Sequence, residues 1–186
     1  MNIGLEELSE KYYKLRHLVR YQTSPRIHDE TVLEHQAVTA AIVTKLRDDY
    51  EFDELKAVKL ALFHDYAESE TSDIPHPIKK KLPPDIQERL EEIEVEIIER
   101  DLGHELAVLL RDFNQFDLAG RSPEGKVVAL ADSYSVLLYA KSESMLGNKE
   151  WYEGYVIPYT MRRIGDLERL LEPFRIRASL PTQGRL

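Results

Sequence analysis

The sequence contains no cysteine. That excludes disulfides, thiolate metal sites and cysteine nucleophiles, so any bound metal is held by nitrogen and oxygen alone. Glycine is scarce, at 8 of 186 residues, and no segment alternates strictly between apolar and polar side chains. These two absences argue against a sheet, while the abundance of Leu, Ile, Glu, Lys, Arg and Ala predicts an all-α protein. There is no basic tail and no basic stripe interleaved with aromatics, and the formal net charge is −9. A duplex nucleic-acid partner held through its phosphates is therefore not expected. A small phosphate substrate stays compatible with this charge if a metal or local Lys and Arg side chains concentrate positive charge at the site. The amino terminus MNIGLEELSEKYYKLR has no apolar signal segment, and no run is long enough to span a bilayer. A cytoplasmic protein with no membrane partner is the expectation.

With 42% hydrophobic residues the chain reads as one domain over residues 1–177, followed by a tail, 178–186, whose ASLPTQGRL lacks periodicity. The patterning predicts a first helix over residues 5–19, a loop over 22–29 and a second helix over 30–49, with His35, Val38, Ile42 and Leu46 on its inner stripe. A third, nearly all-apolar helix starts behind Asp53 as N-cap and runs through LKAVKLALFHDYAE. Pro75 and Pro77 then predict a loop. A long amphipathic helix opens at Pro83-Pro84, carries Ile86, Leu90, Ile93 and Ile97 inward, and stops at Gly103. Further helices are predicted over 105–116, over KVVALADSYSVLLYAKSE behind Ser122-Pro123, and over 159–174. The bundle thus has six or more helices.

The chemistry-bearing residues gather on three of these elements. His64-Asp65 closes the apolar third helix and is followed at once by Glu68 and Asp73. Burying an imidazole beside a carboxylate is costly unless each has a partner, and one divalent cation partners both. The periodicity turns His35 inward, and Asp132 shares its side of a helix with Val128, Ser135, Val136 and Tyr139. Each residue has an ordinary account by itself. A lone inward histidine is usually hydrogen-bonded core, Asp132 could bond a hydroxyl such as Ser135 or a tyrosine, Glu68 could end a helix in solvent, and Asp73 could serve a turn. As a set, two imidazoles and two carboxylates suit Mn, Fe, Co, Ni or Zn and leave positions open for water and substrate. Glu68 follows His64 and Asp65 by one helical turn, on the metal's side. His17, His28, His76 and His104 have no partners at ligand spacing, and His76 alone lies near Asp73. Trp151 and the tyrosines of EWYEGYVIPY read as core or subunit-interface aromatics.

The ordered set ETVLEHQAV, FHDYAESETSDIP and VVALAD resembles the HD-domain phosphohydrolase superfamily, whose ligands come as H…HD…D. Within it, HDYAESETSDIP is similar to the HDxxE…(D/G)DLP-type motif of the small bacterial, archaeal and phage HD-domain 5′-deoxynucleotidases, and the likeness spans residues 10–175. The resemblance implies an HD-domain bundle with one divalent metal (Co, Mn, Zn, Fe, Ni or Mg) on His35, His64, Asp65 and Asp132. It implies an acid and base pair of Glu68 and Asp73, with Asp73 expected as the acid and Glu68 as the partner of the water. Arg20-Tyr21 stands where the family has an arginine-tryptophan pair that contacts substrate. Arg20 suits a phosphate, whereas Tyr21 is a departure at the place where the tryptophan helps exclude a ribose 2′-hydroxyl. Lys79, in the run Lys79-Lys80-Lys81, is the further expected phosphate contact, with Arg121 and Lys126 as additional cations. The implied substrate is a nucleotide cut at its 5′ phosphate. The leading reading is a deoxynucleoside monophosphate, the alternative is a deoxynucleoside triphosphate releasing triphosphate, and a non-catalytic nucleotide-binding HD protein ranks below both. The family also implies a homodimer or higher homo-oligomer.

Overall fold

The computed structural model describes residues 3–114 and 122–176, without the side chains of His76 and Pro77. Arg121, the end of the helix expected over 105–116 and the tail 178–186 lie outside the described residues. Among those described there are helices and two isolated bridges, with no strand. Seven helices have ten or more residues: α1 (Leu5–Leu15), α2 (Val32–Leu46), α3 (Glu54–Phe63), α6 (Pro84–Leu102), α7 (His104–Asn114), α8 (Pro123–Leu146) and α10 (Ile157–Leu171). Between them lie the single turns α4 (Glu68–Thr71), α5 (His76–Lys79) and α9 (Lys149–Trp151), and a π-helical turn over Tyr152–Val156 precedes α10.

The helix ends follow from local chemistry. Thr31 caps α2 with a reciprocal pair, its hydroxyl accepting from the Glu34 amide while the Glu34 carboxylate accepts from the Thr31 amide. That pair starts α2 two residues later than the periodicity predicts, because residues 30 and 31 are spent on the cap. Asp53 caps α3 and Ser122 caps α8, as expected. Gly103 ends α6 at φ 100°, a conformation that favours glycine. Four helices stop short of their expected ends: α1 at Leu15, α2 at Leu46, α3 at Phe63 and α10 at Leu171.

The core sits around α8, which contacts α2, α3, α7 and α10 and is buried on almost every side from Val127 to Ala140. Leu15, Val43, Leu60, Leu110, Leu130, Leu167 and Leu171 fill the space between these helices. Two expected stripes are rotated. On α2 the inner line is His35, Thr39, Val43 and Leu46, while Val38 is 38% exposed. On α6 it is Val95, Ile97, Ile98 and Asp101, while Ile86 is exposed at the helix start. In both cases the neighbours lie to one side of the helix, so the buried arc is offset from the one that apolar spacing suggests. A second, smaller cluster of Tyr139, Ala140 and Tyr152, backed by Tyr21 and Trp151, covers the other end of α8. Tyr152 is thus core, whereas Tyr155 and Tyr159 are exposed.

Candidate metal centre

His35 is fully buried on α2, and Asp132 faces it from α8 with Oδ1 3.1 Å from the His35 Nε2. His64 follows the last residue of α3, and its ring lies edge-on to that of His35, with centroids 5.5 Å apart. His35, His64 and Asp132 each bring one ligand atom within 4.8 Å of the others. Asp65 stands at the edge of this triangle, its Oδ2 3.3 Å from His64 Nε2 and 4.0 Å from His35 Nε2.

The hydrogen bonds identify which nitrogens are free. His64 Nδ1 donates to the Ala61 carbonyl at 2.8 Å; a carbonyl only accepts, so the neutral ring presents its Nε2 lone pair to the centre. His35 Nδ1 is engaged by Ser135 Oγ at 3.1 Å. Ser135 thus serves His35 rather than Asp132, which removes the hydroxyl account of that aspartate. Both Nε2 atoms are buried and have no hydrogen-bond partner. Two oriented imidazoles with unsatisfied inner nitrogens, facing carboxylates, are what a divalent cation requires, and a carbonyl or hydroxyl on the outer nitrogen is the usual support for such a ligand. The donor set fits a cation of the Mn to Zn series.

The charges fit as well. Burial, aided by Arg20, lowers His35 to about 4, so its imidazole is neutral at pH 7. Burial opposes ionisation of Asp132, but His35 outweighs it and holds the carboxyl down at about 2. Burial also opposes the charged forms of His64 and Asp65, yet each favours the other's ion, so His64 is raised and Asp65 lowered.

Arg20 reaches the centre from a segment pinned by a short antiparallel bridge, in which the Arg20 amide donates to the Glu30 carbonyl at 2.8 Å beside the Val19–Thr31 pair. Its Nη1 donates to Asp65 Oδ2 at 3.0 Å, and its Nε lies 3.5 Å from Glu30 Oε2. Tyr21 has φ 57° and stacks flat on Tyr139, centroids 4.5 Å apart and planes at 1°. Its hydroxyl is buried and lacks a hydrogen-bond partner. The third helix was expected to continue through Glu68, but the chain turns at 64–67 and restarts as α4, with the Glu68 amide donating to the Asp65 carbonyl at 3.1 Å. The tighter turn still brings the Glu68 carboxyl toward Asp65. Its Oε2 is buried without a partner, and burial beside the Asp65 and Asp73 charges raises it well above the ordinary range. Asp73, half-buried in the following loop, is raised by burial, with Arg20 opposing. Lys79 donates to Glu94 at 3.2 Å rather than standing free.

Sequence reasoning missed two contributors and one contact. Glu30 is buried beside Arg20 and raised to about 7 by its loss of water; it lies outside any ligand motif, and only the bridge that folds residues 19 and 31 together reveals it. Glu94 is likewise invisible until α6 is placed, and Tyr139, which the spacing puts on the Asp132 side of α8, shows its stack with Tyr21 only in the fold.

The sequence matches the model of the family described as 5′-deoxynucleotidase YfbR-like over residues 8–168. A search of the curated proteins gives no significant match. Among solved structures, a conserved hypothetical protein from Pyrococcus furiosus superposes with TM-score 0.66 at 24% identity, covering 88% of this chain and 99% of that one. An HD-domain phosphohydrolase from Listeria innocua gives TM-score 0.68 at 20% identity, covering 91% and 83%. The cyanophage S-2L HD phosphohydrolase DatZ, bound to dA and one catalytic zinc ion, gives 0.55 at 18%, covering 93% and 99%. The three share this fold, and the family match spans both histidines and every acidic residue of the centre, so the chain belongs to the YfbR-like 5′-deoxynucleotidase family and is a metal-dependent HD-domain nucleotide phosphohydrolase.

Proposed function

We propose that the chain is a 5′-deoxynucleotidase, cutting a deoxynucleoside 5′-monophosphate into deoxynucleoside and orthophosphate at His35, His64, Asp65 and Asp132. The observation that carries this reading is the pair of buried, partnerless Nε2 atoms facing two carboxylates, with a guanidinium and a raised carboxyl beside them. A divalent cation bound there supplies Lewis acidity toward the phosphoryl oxygen and lowers the pKa of its water.

The chain's own residues do the rest. Arg20 points into the centre and grips phosphate oxygens through its fork of N–H donors. Glu68 is the more strongly raised carboxyl of the catalytic pair, so it holds a proton to hand to the departing 5′-oxygen. Asp73 then orients the attacking water. This division differs from the one expected from sequence: burial and the Asp65 charge raise both carboxyls and Arg20 opposes the rise at both, but Glu68 has the Asp73 charge against it as well. Tyr21 and Tyr139 form the aromatic wall against which the nucleoside rests.

A monophosphate fits better than a triphosphate because two of the extra cations, Lys79 and Lys126, are already engaged among the described residues. Lys79 is bound to Glu94, and Lys126 donates to the Ser122 carbonyl at 3.4 Å. The test is a panel of (deoxy)nucleoside mono- and triphosphates with Mg, Mn, Co or Zn added to chelator-stripped protein. Orthophosphate from deoxymonophosphates is the expected product, and intact triphosphate from a deoxytriphosphate would replace this reading with the triphosphohydrolase one.

A further inference from the structure

On the far side of the 64–71 segment from the metal centre lies a second charged cluster, which the proposed chemistry does not use. Its middle is Asp101 of α6, whose side chain is fully buried. Asp101 Oδ2 accepts from Lys11 Nζ at 2.6 Å and from the Tyr66 hydroxyl at 3.2 Å, and its Oδ1 accepts from Arg100 Nε at 2.6 Å. Glu70 of α4 joins through Lys11 at 2.8 Å and through Arg100. Burial disfavours the Asp101 charge, but the bonds from Arg100 and Lys11 outweigh it and hold the carboxyl below its ordinary range. An isolated buried ion cluster adds little net stability over an apolar one of the same shape, so its use is better sought in what it holds in place.

What it holds is α4. This helix is four residues long, has no side-chain cap, and ends at Ser72 with φ 64° and ψ 159°, a region that non-glycine residues rarely adopt. A single turn of this kind does not persist without tertiary ties. Successive residues divide between the two sides: Tyr66 and Glu70 bond into the cluster, while Asp65 and Glu68 face the metal centre. Glu68 Oε2 has no hydrogen bond of its own. The direction of that carboxyl is therefore inherited from the backbone of α4, and through it from Asp101.

We propose that Lys11, Arg100 and Asp101 form a positioning device that fixes α4, and so Glu68, for proton transfer. The proposal rests on the reading of Glu68 given above. The test uses the full chain loaded with cobalt and dAMP as substrate, comparing Asp101→Asn, Tyr66→Phe and Glu68→Gln with the wild type. Misplacing a reacting group by an ångström or less costs roughly ten- to a hundred-fold in rate. Asp101→Asn is accordingly expected to lower kcat by that factor with KM and cobalt stoichiometry unchanged, and Tyr66→Phe, which keeps every charge, by a few-fold. Hydrogen exchange gives a readout independent of turnover, since the Thr71 and Ser72 amides, bonded to the Ala67 and Glu68 carbonyls, should exchange faster in both variants. Lys11→Arg, which keeps the charge, should restore most of the rate lost in Lys11→Met.

Wild-type kcat and unchanged Thr71 and Ser72 exchange in Asp101→Asn and Tyr66→Phe, alongside an inactive Glu68→Gln, would overturn the proposal. So would a loss of kcat that only follows a loss of cobalt. A fully active Glu68→Gln would instead remove the reading of Glu68, and the proposal with it. Should Asp101→Asn fail to fold, Tyr66→Phe decides by itself.

Discussion

Glu30→Gln tests the electrostatics of the centre through stability alone. Glu30 is 9% exposed, and burial raises its carboxyl from 4.5 to about 7, with Arg20 opposing and Glu34, Asp132 and Asp65 adding to the rise. A raised carboxyl stabilises the folded state fully below its unfolded pKa and loses that contribution as pH climbs through its folded pKa. The window is therefore pH 4.5 to about 7. The shift of about 2.5 units, at about 1.4 kcal/mol each, corresponds to ~3 kcal/mol, or roughly 10 °C in Tm for a domain of this size. Glutamine cannot ionise, so Glu30→Gln should gain about this much on the wild type between acid and neutral pH, whatever constant offset the substitution brings. Thermal denaturation of both chelator-stripped proteins from pH 4.5 to 8 measures the difference, in which all other titrations cancel to first order. Parallel curves would show that Glu30 ionises normally and that the region around Arg20 is wetter than the geometry implies.

Other perturbations separate the roles of the remaining groups. Asp132→Ala and His64→Ala should abolish cobalt binding and the cobalt-dependent rise in Tm, whereas Glu68→Gln should keep both and lose at least ~100-fold in turnover, by calorimetry and phosphate release. Because Asp65 favours the protonated form of His64 against the effect of burial, protons compete with a cation for that ring, and cobalt affinity by titration should be weaker at pH 6 than at pH 8. Tyr139→Ala removes the ring beneath Tyr21 and should raise KM roughly five-fold, the worth of one stacked pair, while Tyr139→Phe keeps the stack and loses only the hydroxyl's bond to the His28 carbonyl. Ser72→Gly relieves the left-handed strain and should raise stability in denaturant melts by ~1 kcal/mol net of glycine's entropy.

Much of the architecture was legible because it rests on local rules. Asp53, Ser122, Pro84 and Gly103 mark helix ends through capping and backbone freedom, and these act over a few residues. His35 and Asp132 were legible as inward polar residues, since burying either without a partner is costly. The rest depends on contacts distant in sequence. Which arc of α2 or α6 is buried depends on where α8 and α7 lie, so Val38 and Ile86 were placed inward by spacing that tertiary contacts overrode. The break after Phe63 could not be read from an apolar run that continues through Tyr66 and Ala67; the Tyr66 hydroxyl bond to Asp101 and the tight turn at Asp65 pull the chain off the helix axis there. Lys79 reads from sequence as one of three available lysines, and Glu94, fifteen positions on, is what binds it.

The most direct test of the account is orthophosphate release from deoxynucleoside 5′-monophosphates by chelator-stripped wild type and Asp132→Ala, followed as cobalt is added. No release is expected without metal, release should saturate as one cobalt binds per chain, and Asp132→Ala should give none at any cobalt concentration. Stoichiometric cobalt binding by the wild type with no phosphate released, or equal release by the two proteins, would contradict it.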